Sequence, residues 1–127
     1  MPVETLVDPE LGIAIHRLSG EVHGEQVVAA QRRIFEDPSN DPAIPVLWDA
    51  REAITTTLAV DEMRDMVAKA EPLYPRMGPG RSAILVSRAA DFGMGRMYQA
   101  LSAGTPRTVQ VFDDHDEALA WLLGSPP

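Results

Sequence analysis

The sequence predicts an α/β domain: a five-stranded, mostly parallel sheet entered through one antiparallel hairpin strand, with four helices in the order ββαβαβαβα. Three observations predict it. Short β-compatible runs alternate with stretches of helical period. Ile44 to Trp48 and Ser82 to Val86 are nearly continuous apolar runs, the pattern of strands covered on both faces. No internal repeat or low-complexity linker interrupts the 127 residues, so 1–127 is read as one domain. Strands separated by helices must pair in parallel through right-handed crossovers.

Val3 to Val7 and Gly12 to Ser19 are β-compatible, and Asp8-Pro9-Glu10-Leu11-Gly12 between them has the composition of a turn. After Gly20, Val27, Val28, Ala30, Ile34 and Phe35 recur at helical spacing until Asp37-Pro38 stops the pattern. Ile44 to Trp48 is the next strand. In Ala59 to Ala70, Val60, Met63, Val67 and Ala70 form a stripe, with Asp61 and Glu62 in the first turn where the helix dipole favours them. Thr57 is positioned to cap this helix and Pro72 to close it.

Pro72 to Gly80 reads as an ordered surface loop, followed by the strand Ser82 to Val86. Asp91 is expected to cap a third helix carrying Phe92, Met97, Tyr98 and Leu101, within which Gly93 and Gly95 suggest close backbone packing. Thr108 to Phe112 alternates as an edge strand does. Asp114 and Glu117 have capping-box spacing ahead of Ala118, Leu119, Trp121 and Leu122.

Composition narrows function. With 45% hydrophobic residues the chain has enough apolar content for a core, and its net charge of −8 repels nucleic acid at long range. No cysteine is present, which removes disulfides, thiolate nucleophiles and Cys-based metal sites. No exported leader or membrane-spanning run is visible, so a cytoplasmic protein is expected. His16, His23 and His115 are scattered without zinc-ligand spacing, and Asp113 to Glu117 lacks the calcium-loop pattern, so no metal is expected. A nucleophile elbow is absent, and Gly93-x-Gly95 lacks the third glycine of a dinucleotide loop. The reading therefore has no catalytic residue and no cofactor.

Trp48-Asp49-Ala50-Arg51 at the end of a parallel strand, Phe92 to Tyr98 opening a helix, and the closing Val111-Phe112-Asp113-Asp114 through Glu117 to Leu122 occur in order. In this order the chain resembles the SpoIIAA-like, or STAS, domains, which are often grouped with SEC14-like lipid-binding domains. The resemblance spans Gly12 to Leu123 and implies a small α/β fold used as a regulatory or protein-interaction module. The regulated antagonists of that family carry a phosphorylatable serine in an Asp-Ser-Ser-Gly-like turn, where this chain reads Ala53-Ile54-Thr55-Thr56-Thr57-Leu58. A switch of that kind would fall to Thr55, Thr56 or Thr57, phosphate at a helix N-terminus being favoured by free N–H groups.

Ligands of open parallel sheets collect beyond the carboxyl ends of the strands. Those ends supply Ser19, Gly20 and His23, then Asp49 and Arg51, then Ser87, Arg88 and Asp91, and finally Asp113 and Asp114. Asp49, Arg51, Ser87, Arg88 and Asp91 form the candidate binding rim; the plainer account is that strand ends are polar because loops are solvated. Met63, Met66, Met94 and Met97, with Met77 in the proline-rich loop, suit either an adaptable apolar ligand surface or core filling. Two partners follow. One is a protein or a second copy, which a sheet with all its helices on one face would need as cover. The other is a small molecule or lipid in a pocket beneath the Pro72 to Gly80 loop and the third helix, with Arg51 and Arg88 nearby and Arg76 within the loop.

Overall fold

A computed structural model of the chain describes residues 3–124. Its elements are β1 (Val3–Asp8), β2 (Ile13–Glu21), α1 (Gly24–Phe35), β3 (Val46–Ile54), α2 (Val60–Ala70), a 3-10 helix (Glu71–Arg76), β4 (Arg81–Leu85), α3 (Ala89–Leu101), β5 (Thr108–Phe112) and α4 (His115–Leu123). The strands lie side by side in sequence order. β1 runs antiparallel to β2 and every later pair is parallel. The predicted ββαβαβαβα order is therefore the observed one.

The opening turn is built by Asp8, whose carboxylate accepts from the backbone N–H groups of Glu10 and Leu11 at 2.9 and 3.0 Å. Gly12 closes it at φ +67°, in the left-handed region where a side chain would be strained.

Because the parallel strands advance in one direction, right-handed crossovers place α1, α2 and α3 on the same face of the sheet. Ala14, Leu18, Val46, Trp48, Val86 and Val111 meet these helices in the larger core. The alternate residues Ile13, Leu47, Ala83, Leu85 and Phe112 point the other way, where Ala118 and Leu122 of α4 cover them. Asp114 caps α4 by accepting from the N–H of Glu117 at 3.0 Å, as its spacing predicted. The expectation of a homodimer rested on a bare second face; α4 provides cover over β3, β4 and β5. Leu6 and Val7 of β1, with Leu11 of the turn, remain exposed.

β3 differs from expectation. It continues six residues beyond Trp48, to Ile54, because it takes up one extra residue between Asp49 and Glu52, opposite Arg17 and Ser19 of β2, and then resumes pairing, Ser19 with Glu52 and Glu21 with Ile54. β4 stops at Leu85, opposite Asp49. The β2–β3 ribbon thus overhangs the sheet at the carboxyl end. Pro72 is the second residue of a 3-10 helix rather than the start of a loop, a place where the missing N–H of proline costs no helical bond.

Candidate functional site

The strand order never reverses, so the sheet has no switch-point crevice of the doubly wound kind. Space opens instead between the sheet and its helices. α2 rests on α1, on α3 and on the 3-10 turn more than on any strand. Beneath it lies a void of about 80 Å³. Leu18, Trp48, Ala50, Ile84 and Val86 form its floor; Val27, Met63, Met66, Met94, Gly95 and Tyr98 form its walls and roof. Val22, Leu58, Thr55 and Asp91 stand at the overhanging end. Almost all of this lining is carbon. Gly95 allows the approach of α3, since a Cβ there would lie 3.0 Å from Val111 Cγ1. Gly93 has open space around it, so only one of the two glycines serves close packing.

At that end the polar residues bind one another. Asp91 is 1% exposed. Its carboxylate accepts from the Thr55 N–H at 3.1 Å, from the Thr55 hydroxyl, and from Arg88 Nε at 2.6 Å. Arg88 also donates through Nη2 to the Ala53 carbonyl at 3.2 Å. Burial pushes the Asp91 carboxyl up, yet the bonds from Thr55 and Arg88 outweigh it and hold the group below the usual carboxylate range. Asp91 occupies the third position of α3, with Arg88 at the N-cap position, so it does not cap the helix as predicted. Its carboxylate is drawn across to Thr55, fastening the loop after β3. Ala59, with no side-chain bond, occupies the cap position expected of Thr57.

The predicted rim therefore divides. Arg88 and Asp91 meet Thr55 at the void, whereas Asp49 lies opposite Leu85 on the α4 face and forms a two-pronged pair with Arg51, at 2.9 and 2.8 Å. The Arg51 bond holds the Asp49 carboxyl below its ordinary range despite partial burial. Ser87 donates to the Arg51 carbonyl at 2.8 Å, a tie between the ends of β3 and the β4 loop. Thr56 and Thr57 are exposed, while Thr55 is half-buried with its hydroxyl engaged. Arg76 lies over a surface hollow beside Asp37 and Asp41, away from the void. Among the described residues no group of three or more His, Asp and Glu could hold a metal ion.

The residues left unmarked by sequence reasoning are buried polar ones. Arg107 has no carboxylate partner among the described residues; its donors go to the carbonyls of Pro42, Ile44, Gly78 and Arg81 and to the Ser82 hydroxyl. Burial lowers its pKa to about 10. It is a clasp joining three loops at the amino ends of the strands. His16 stacks on Trp48 with ring centroids 4.1 Å apart and shares a 2.8 Å hydrogen bond with the Thr5 hydroxyl. Gln31 of α1 donates to the Tyr98 hydroxyl of α3 at 3.4 Å beside a second void of about 20 Å³, which shares Trp48, Ile84 and Tyr98 with the first. A polar residue on the apolar stripe of a predicted helix, as Gln31 is among Val27, Val28, Ala30 and Ile34, was the available signal.

No family model matches the chain, and no curated protein does. Among solved structures, an uncharacterized protein of the DUF3478 family from Shewanella loihica PV-4, described as having a SpoIIAA-like fold, superposes with a TM-score of 0.61. The two share 18% identity over 94% of this chain and 91% of that one. On this likeness and the strand order, the chain has the SpoIIAA-like fold that its motifs resembled.

Proposed function

We propose that this domain is a non-enzymatic binding module that holds a small, largely apolar molecule between its sheet and α2. The observation that carries the reading is the carbon-lined void of about 80 Å³ roofed by Met63, Met66 and Met94. Methionine is unbranched and polarizable, and adapts to apolar guests. A void of this size in a small core leaves its lining without partner atoms, a loss that a bound molecule offsets. The polar groups at its end favour binding over catalysis. Asp91, engaged through both carboxylate oxygens by Thr55 and Arg88 and held ionised, is a weak base. The loop carrying Leu58 and the exposed Thr56 and Thr57 lies where a modification would act on access.

Thermal unfolding in the presence of medium-chain apolar compounds tests this. The melting temperature of the wild type rises with concentration, since ligand bound only to the folded state stabilises it by mass action. Ala50→Leu, which fills the floor, abolishes the rise. A folded wild type that shows no shift with any of them, and no retained molecule in native mass spectrometry, overturns the reading.

The resemblance to regulatory modules favours a second reading, self-association or partner binding along β1. Leu6 and Val7 are 38% and 42% exposed on an edge strand that leaves one side of its backbone unpaired. A strict monomer in sedimentation at high concentration counts against self-association.

A further inference from the structure

We propose that the guest of this chamber is an apolar molecule bearing a hydroxyl group, recognised at its inner end by Gln31 and Tyr98. The inference rests on the binding reading above and specifies its ligand. Gln31 is 8% exposed, and its Oε1 is buried without a hydrogen-bond partner, the sole side-chain atom in that state among the described residues. An orphaned buried acceptor costs about 1–3 kcal/mol in general, so native proteins rarely keep one without a use.

The neighbouring Tyr98 hydroxyl accepts from Gln31 Nε2, and among the described residues it has no acceptor for its own proton. Burial pushes that phenol up to about 12, which keeps it protonated. Turning the Gln31 amide over would leave its NH2 group orphaned, so the unmet pair remains one acceptor and one donor. A hydroxyl is the small group that supplies both complements at once. A carboxylate would leave Gln31 Oε1 unmet, and an ammonium would sit near the buried cation of Arg107, which borders the same small void.

Size agrees with this chemistry. The inner void, about 20 Å³, admits one water-sized group. The main void, about 80 Å³, is several times larger and about half the roughly 150 Å³ of a cavity that holds benzene, so a ring enters only as the methionine side chains of its wall and roof give way. The implied guest is a short-chain alcohol or a simple phenol, with the hydroxyl in the inner void and the carbon body against Trp48, Met63 and Met66.

Calorimetric titration with toluene and with p-cresol, which adds a hydroxyl to the same ring, tests the proposal. Wild-type protein should bind p-cresol at least about tenfold more tightly, and Gln31→Leu should bring the two to parity while retaining toluene. Tyr98→Phe supplies the same readout if the first variant folds poorly. Equal affinities in the wild type overturn the hydroxyl site, with a trapped water then satisfying the pair, and leave the apolar chamber standing. A p-cresol preference that survives both substitutions overturns the assignment to these residues. Binding of neither compound overturns the chamber itself.

Discussion

Trp48 shows how one residue serves both core and site. Its ring forms floor for both voids and also stacks on His16, which is 1% exposed and whose pKa burial, with help from the Arg33 charge, lowers to about 4. Between about pH 6.5 and pH 4 the unfolded chain therefore binds a proton that the folded chain refuses. Stability rises with pH through that window and is lost on acidification, by about 3 kcal/mol once pH 4 is reached. Urea unfolding at pH 7, 5.5 and 4 should show this decline, and His16→Phe, which cannot titrate, should flatten it over the same range. At this scale the sequence was partly legible. Met63, Met66 and Met94 stood out by composition and line the void. Asp91 was recognised as important in the wrong role, because its partner Thr55 lies 36 positions away and across-loop bonds leave no local spacing. Arg107 carried no signal, since its partners are backbone carbonyls and the Ser82 hydroxyl, all distant in sequence.

Among elements, the contact of α3 with the sheet is the most sharply specified. Gly95 places the helix backbone against Val111, and its absent Cβ would stand 3.0 and 3.1 Å from the two methyl groups. Gly95→Val should cost about 1–3 kcal/mol through overpacking, read as a lower urea midpoint with unchanged slope. Gly93→Ala, with open space, should instead be neutral or stabilise the helix by about 1 kcal/mol. Helix and strand order was readable because apolar period changes from about 2 to about 3.6 at each boundary. The length of β3 was not. Its last residues, Arg51 to Ile54, lack apolar alternation and are held in the sheet by pairing with β2 that resumes after the bulge in β3, a tertiary cause. That misreading placed Asp49 and Arg51 in one rim with Arg88, when the pleat sends Asp49 and its Arg51 partner to the α4 face.

At the scale of the molecule, three α-helices on one face of the sheet and one on the other, among the described residues, give an uneven sandwich. α4 seals its face against Leu47, Leu85 and Phe112. On the other face α2 bridges from α1 to α3 and stands off the strands. The void follows from that bridging. The nearly continuous apolar runs Ile44 to Trp48 and Ser82 to Val86 showed that both faces needed cover, while the identity of the cover depended on where the chain turns after β5. The same applies to the void, which exists by virtue of helix spacing that no residue pattern encodes. The central claim, that this space takes an apolar guest, is tested most directly by carbon-labelled methionine methyl spectra recorded during titration with toluene. The account predicts saturable shifts at Met63, Met66 and Met94, in the chamber walls. Saturation with no change at those three methyls, or with changes confined to other methionines, would contradict it.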